Sequence, residues 1–242
     1  MGDRDAAEVR QSAEALYAEG QEIWDPRDRW NSHKRSGIEA FVATWCLDVI
    51  NAARLVLNAG SGGELYNWLP RRTVNSDLFF EQVRGLPSAV VGDVCLLPFA
   101  NATFDLSVCV GSVLNYASLL EALSELSRSL KVGGHLILHF ESSNSFEQWF
   151  SANWNRSIAR ITTVNSGRTD RIWIYSPRFV EDALRSLGLE IRKRDSFHIA
   201  SALATRLGLS QDRAARLGRL DGRLKYLAAA ADDQIILAEK VS

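Results

Sequence analysis

The apolar positions change their spacing once along the chain, and the change divides it. Over residues 4–24 and 37–52 they recur at helical spacing; in the second stretch Ile38, Phe41, Val42, Trp45 and Val49 share one face. Two amphipathic helices are therefore expected ahead of the first strand. A polar loop from Trp24 to Gly37, punctuated by Pro26, is expected between them. From residue 54 the pattern turns into short apolar runs separated by helical stretches, which predicts βαβ units and a parallel sheet. The runs lie at 54–58, 73–76, 89–91, 104–110 and 135–140, and their near-continuous hydrophobicity suits strands covered on both faces. Helices are expected at 64–69 and at 117–130, the second burying Leu119, Leu120, Leu123, Leu126 and Leu130 before Gly133 and Gly134 turn the chain into the next strand. Residues 142–170 are instead rich in Ser, Asn and aromatics. A helix at 178–187, a strand at 189–198, a long helical region at 199–229 and a last strand at 233–240 complete the pattern.

No internal repeat and no linker interrupts this order, so one domain over 1–242 is expected: N-terminal helices as a cap over 1–52, a core over 53–141, and a lid with the second half of the sheet over 142–242. Composition narrows the class further. With 46% hydrophobic and 24% charged residues among 242, the chain is too apolar for disorder, and 16 Gly and 5 Pro are too few for low-complexity linkers. Three cysteines, Cys46, Cys95 and Cys109, are spaced for neither a disulfide framework nor a zinc site, which fits a reducing cytoplasm. The polar start MGDRDAAEVRQSAEAL lacks the features of a signal peptide, and no run approaches 18 apolar residues, so no membrane span is expected. A net charge of −1 argues against a whole-chain polyanion binder. That figure nevertheless conceals a basic stretch at 192–225, where nine Lys or Arg stand against three acids. It reads as a solvated helix face or as the contact for an anionic acceptor or partner.

The segment LVLNAGSGGEL, residues 55–65, is a strand followed by a glycine-rich turn and an expected helix. Glycine allows close backbone approach to a ligand, and a helix start offers free N–H groups to it. A dinucleotide fingerprint would need a third glycine where Leu65 stands, and the lysine of a P-loop is missing. Asp77 follows the second strand, where a carboxylate can accept from both hydroxyls of a ribose, and Asp93 follows the third, where one can accept an adenine amino hydrogen.

The series LVLNAGSGGE, TVNSDLF, GDVCLLPF, FDLSVCVGSVLNYA and LKVGGHLIL resembles the class I S-adenosylmethionine-dependent methyltransferases over roughly residues 50–142. The resemblance implies an α/β, Rossmann-like three-layer sandwich whose seven-stranded, mostly parallel sheet has the order 3-2-1-4-5-7-6 with the last strand antiparallel. It implies S-adenosyl-L-methionine as cofactor over the carboxyl ends of the strands. Asn58, Gly60, Ser61 and Gly62 would form the loop beside the methionine part, Asp77 with Leu78 would hold the ribose, and Asp93 with Val94 the adenine. Gly111 and Ser112 would face the methyl group and the carboxylate tail. The family usually has an acid where Asn58 stands and often a glycine where Glu64 stands.

A sulfonium methyl group is already activated, so the protein supplies placement, exclusion of water and, for some acceptors, a base. The segment GSVLNY after the fourth strand has no proline of the kind found in nucleic-acid amine methyltransferases, and no acids there suggest a metal. His198, His33 and Glu141 are the candidate bases; His135 and His139 share a face of the fifth strand and read as core histidines. Tyr116, Trp149 and Trp154 are candidate acceptor contacts, within an aromatic set that also holds Phe146, Phe150, Trp173 and Tyr175 and reads equally as core packing under a long connection. The expected activity is methyl transfer to an O or N atom of a small molecule, with no nucleic-acid partner and a homodimer left open. The alternatives are a nucleic-acid or protein methyltransferase using the basic C-terminal region, and a non-catalytic binding module, which Asn58 keeps in play.

Overall fold

The computed structural model describes residues 3–17, 24–25, 27–165 and 168–242. Three helices come first: α1 (Asp3–Tyr17), α2 (Arg29–Trp45) and α3 (Leu47–Ala52). The loop expected from Trp24 to Gly37 is therefore helical from Arg29 onward. Asp28 caps that helix, its carboxylate accepting from the Asn31 N–H at 3.0 Å, a start signal that the Gly and polar residues had masked. Gly37 sits inside the helix because the Phe197 ring lies where its Cβ would be, 2.6 Å away. The end of the first expected helix, residues 18–23, and Pro26 lie outside the described residues.

Then follow β1 (Val56–Ala59), β2 (Thr73–Asp77), α4 (Phe80–Val83), β3 (Ala89–Val91), β4 (Phe104–Cys109), α5 (Val113–Tyr116), α6 (Leu119–Ser129) and β5 (Leu130–Glu141). A hairpin of β6 (Ile158–Asn165) and β7 (Arg168–Tyr175) comes next. The chain closes with α7 (Pro177–Ser186), β8 (Leu189–Phe197), α8 (Ala200–Arg206), α9 (Gln211–Ala215), two 3-10 segments over 216–230, and β9 (Asp233–Lys240). The expected helix at 64–69 is instead a pair of turns, with bonds from Glu64 N to Ser61 O and from Leu69 N to Tyr66 O. Buried Tyr66 stacks on Trp68 at 4.9 Å, drawing the chain back to the core before a helical ladder can form.

The main sheet has seven strands in the order β3-β2-β1-β4-β5-β9-β8. As numbered, this departs from the expected 3-2-1-4-5-7-6, because β6 and β7 intervene in sequence and pair only with each other. β9 runs antiparallel to both of its neighbours, and the pairs from β3 to β5 are parallel. Successive residues of the central strands go to opposite faces. On one face Leu57, Leu136, Leu138 and Ile236 pack with Leu123 and Leu126 of α6, Val180 and Leu184 of α7, and Tyr175 of the hairpin. On the other, Val56, Leu106, Val108, Ile137 and Ile235 pack with Ile38, Phe41 and Val42 of α2 and Ile50 of α3. This two-sided burial is what the continuous apolar runs require. It leaves the carboxyl ends of β1, β2 and β4 opening onto one rim.

Candidate functional site

That rim holds a cavity of about 440 Å³, in the range that accommodates a small organic ligand. Its floor comes from the loops after four parallel strands. After β1, Gly60 takes φ +68°, and a Cβ there would lie 2.3 Å from Val113 Cγ2, so only glycine fits. The loop N–H groups are not free, as the helix-start expectation had them: Gly60 and Ser61 donate to Ser76 O at 2.8 and 2.9 Å, and Gly62 donates to Asp77 Oδ2 at 2.9 Å. Ser61 lines the cavity, and its Oγ is buried without a partner.

Asp77 ends β2 and is 8% exposed. Its other carboxylate oxygen accepts from Phe79 N at 3.1 Å. Burial raises its pKa above the ordinary carboxylate value, opposed by the N–H bonds from Gly62, Phe79 and Leu78. Beyond β3, Asp93 is fixed by the Cys95 N–H at 2.8 Å, and its second oxygen lies 3.7 Å from Arg10 of α1. Gly111 and Ser112 follow β4, and Tyr116 follows on α5.

Of the residues expected to bind cofactor, Gly60, Ser61, Gly62, Asp77, Leu78, Asp93, Val94, Gly111 and Ser112 therefore line one cavity. Asn58 does not. It is 1% exposed, and its amide donates to Asn75 Oδ1 at 3.1 Å and to Glu64 O at 3.3 Å, tying the loop to β2 from below. An amide serves that role because it supplies the donor for both oxygens.

Among the candidate bases, His198, His33 and Glu141 do not line the cavity. They belong to a buried polar network along α2. Lys34, 3% exposed, donates to Glu141 Oε1 and lies 3.4 Å from Asp233 Oδ1. Burial lowers its pKa, but the Asp233 and Glu141 carboxylates more than offset this, so the ammonium is held well above its usual value. His139 bridges the same Asp233 oxygen, at 2.8 Å, to the Gly111 carbonyl, at 2.6 Å, and so braces the cavity floor from behind. His33 pairs with Asp221 at 3.2 Å. His198 is enclosed between Trp30 and His33, with ring centroids 3.9 and 4.7 Å away, and burial lowers its pKa to about 3. A ring so enclosed is neutral and remote from the cavity. Trp149 and Trp154 also lie outside it; Trp149 stacks on Phe150 at 4.8 Å on an outer turn. Only Tyr116 of the acceptor contacts reaches the cavity.

The roof was expected in part, from the N-terminal helices as a cap and from Trp173 in the aromatic set. Arg10, Ala13 and Tyr17 of α1, together with Trp24 and Trp173, close over the strand ends. The helical period of residues 4–24 did not single out Arg10, Ala13 or Tyr17 as cavity residues. No group of three His, Cys, Asp or Glu placed to hold a metal occurs among the described residues, and no described helix is long and apolar enough to cross a membrane.

Residues 57–138 match the family model described as a methyltransferase domain. No curated protein matches the chain. Solved structures share its fold at low identity. A protein of Pyrococcus horikoshii is 12% identical over 94% of this chain and 97% of its own, with a TM-score of 0.59. The 1,6-didemethyltoxoflavin-N1-methyltransferase of Burkholderia thailandensis, solved with 1,6-didemethyltoxoflavin and S-adenosylhomocysteine, is 15% identical over 99% and 90%, with a TM-score of 0.55. A SAM-dependent methyltransferase of Methanosarcina mazei is 16% identical over 77% and 92%, with a TM-score of 0.52.

Proposed function

We propose that this chain, which carries a class I S-adenosylmethionine-dependent methyltransferase domain, transfers a methyl group to an oxygen or nitrogen atom of a small molecule. One observation carries the reading: the loop after β1, the acids after β2 and β3 and the Gly111–Ser112 turn after β4 all line the same cavity. The residues fit the cofactor on physical grounds. Ser61 offers a buried hydroxyl without a partner, and Asp77 is a desolvated carboxylate with acceptor capacity left beyond its backbone N–H bonds for a ribose hydroxyl. Asp93 would take the adenine amino group. When bound, the sulfonium supplies an activated methyl carbon. The chain's own work is to orient the acceptor and exclude water, which a roof of Tyr17, Trp24 and Trp173 over the cavity supports.

An acceptor of small size is in keeping with the Burkholderia protein named above, a 1,6-didemethyltoxoflavin-N1-methyltransferase. The basic segment is less available to a polyanion than its count suggests. Arg192 pairs with Glu239 and Glu190, Arg194 with Glu181, Arg216 with Asp212 and Lys225 with Asp195. The test is calorimetric titration of the full chain with S-adenosylmethionine and S-adenosylhomocysteine, followed by transfer of labelled methyl to small-molecule extracts. Saturable binding of both is expected; a folded protein giving no heat with either refutes the reading and favours a non-catalytic module.

A further inference from the structure

Asp170 on β7 is 1% exposed, and no role has yet been given to it. Tyr116 Oη donates to its Oδ2 at 2.6 Å, a length typical of a hydroxyl bonded to an ionised carboxylate. Ser12 Oγ of α1 donates to its Oδ1 at 2.8 Å. Among the described residues, the guanidinium groups on the hairpin are paired elsewhere: Arg160 on β6 pairs with Asp5 and Glu8, and Arg171 lies 3.7 Å from Glu8. The carboxylate is thus held by hydroxyl groups. Tyr17 stands beside this pair, its Oη 3.4 Å from Tyr116 Oη and its ring edge-on to Tyr116 at 5.4 Å. Both tyrosines line the cavity, while Asp170 lies behind them.

The orientation of these bonds decides what the cavity wall recognises. With its proton committed to Asp170, Tyr116 presents oxygen lone pairs to the cavity, so it accepts from an O–H or N–H. The candidate bases His33, His198 and Glu141 are enclosed elsewhere; of the carboxylates that line the cavity, Asp77 is held by backbone N–H groups, Asp93 by the Cys95 N–H, and Glu121 stands on α6 with no hydrogen bond to Tyr116 among the described residues. Burial raises both phenol pKa values, Tyr17 to about 12 and Tyr116 well above 10, so each remains a neutral hydroxyl at physiological pH. A neutral tyrosine hydrogen-bonded to a buried carboxylate can relay a proton without a net change of its own.

We propose that Tyr116 receives the acceptor's proton and Asp170, through Tyr116, stores it, and that the acceptor is a planar molecule bearing an aryl hydroxyl or aryl amine. This rests on the methyl-transfer reading above. The lone pair of the acceptor's O or N forms the new bond to the methyl carbon as the carbon–sulfur bond breaks and its electron pair remains on sulfur. The acceptor's proton passes to Tyr116 Oη while the tyrosine proton passes to Asp170 Oδ2, and Asp170 releases it to solvent after the products leave. Planarity follows from the aromatic walls, Tyr17, Trp24 and Trp173. Tyr116 is the catalytic residue and Asp170 a positioning residue acting through it.

The experiment uses the full chain and the variants Asp170→Asn and Tyr116→Phe. Calorimetry with S-adenosylhomocysteine comes first; no binding by the wild type overturns the methyl-transfer reading itself, whereas equal binding by all three shows that the variants are folded. Binding of 1-naphthol to the S-adenosylhomocysteine complex is then read by quenching of tryptophan fluorescence, and methyl transfer to 1-naphthol and to aniline by labelled donor. In Asp170→Asn, naphthol affinity and KM should stay within about threefold while kcat should fall about 10²- to 10⁴-fold, a split that a merely structural role would not produce. Tyr116→Phe should lose both affinity and kcat. Cofactor binding without methylation of either acceptor overturns the acceptor class, and an unchanged kcat in Asp170→Asn, or a fall in kcat matched by an equal loss of naphthol affinity, overturns the relay.

Discussion

Replacing Asp77 with Asn is the sharpest perturbation of the cofactor end of the cavity. In the free protein the carboxylate accepts from Gly62 N at 2.9 Å and Phe79 N at 3.1 Å. Asparagine retains one acceptor oxygen and opposes the other N–H with an NH2, so the loop after β1 loses part of its anchor at about 1 kcal/mol. Cofactor binding loses more, because two hydroxyl bonds to a charged acceptor become at most one bond to a neutral one. We expect a loss of about 1–3 kcal/mol, roughly 5- to 150-fold in Kd. The pH dependence is the stricter check. Burial holds the free Asp77 carboxyl above its ordinary pKa. Hydroxyl donors from a ligand favour the ionised form, so binding lowers that pKa. Affinity is then complete above the raised free-state pKa and falls as pH drops through it, by up to about tenfold per unit, until the bound-state pKa is reached. The unliganded fold has the opposite dependence: a folded pKa above the unfolded one gives this group its full contribution below the ordinary carboxylate range, and that contribution is lost as pH rises through the raised value. Calorimetry with S-adenosylhomocysteine across an acidic-to-neutral series checks the affinity, and chemical denaturation of the unliganded protein over the same series checks the fold. If Asp77→Asn binds as tightly as the wild type, or keeps the same pH dependence, the ribose assignment fails.

Two further substitutions probe the scaffold around the site. Gly60→Ala places a Cβ 2.3 Å from Val113 Cγ2 at φ +68°, so it should cost about 1–3 kcal/mol in chemical denaturation and weaken cofactor binding at least tenfold, with partial recovery when Val113→Ala is added; a neutral Gly60→Ala contradicts the close approach. Lys34→Met leaves Glu141 and Asp233 buried without their cation, so a loss of about 3–5 kcal/mol is expected, read as a fall in Tm of roughly 6–20 °C, and a change under 1 °C would show that the network relaxes freely.

The central strands were legible in the sequence because both of their faces are buried, whereas the partly exposed edge strands β3 and β8 were legible from their place in the alternation of strands and helices. β1 and most of β4 are buried throughout, and continuous apolar runs announce such strands without reference to anything distant. The β6–β7 hairpin was not legible because polar and apolar residues mix along ArgIleThrThr and ThrAspArgIle, and its alternation is half solvated. Lys34 escaped for a related reason. A lysine in a polar helix start reads as surface, and only pairing with Glu141 and Asp233, far along the chain, makes its burial affordable.

The same distinction separates the two ends of the cavity. Its floor is written locally, since a strand end, a glycine turn and an acid at each successive strand place Gly60, Asp77 and Asp93 by sequence position alone. Its roof is written by contacts between remote segments. α1, 15 residues and about 22 Å long, reaches from Arg10 beside Asp93 to Tyr17 beside Tyr116, and on the way its Ser12 holds Asp170. Tyr116 and Asp170 are themselves 54 positions apart. A motif can therefore disclose which cofactor the floor suits, whereas the acceptor is chosen by groups that become neighbours only when α1 and the hairpin dock together. A substitution on the α1 face that meets the hairpin, Ser12 above all, should on this argument alter acceptor handling while leaving the cofactor contacts of the floor intact.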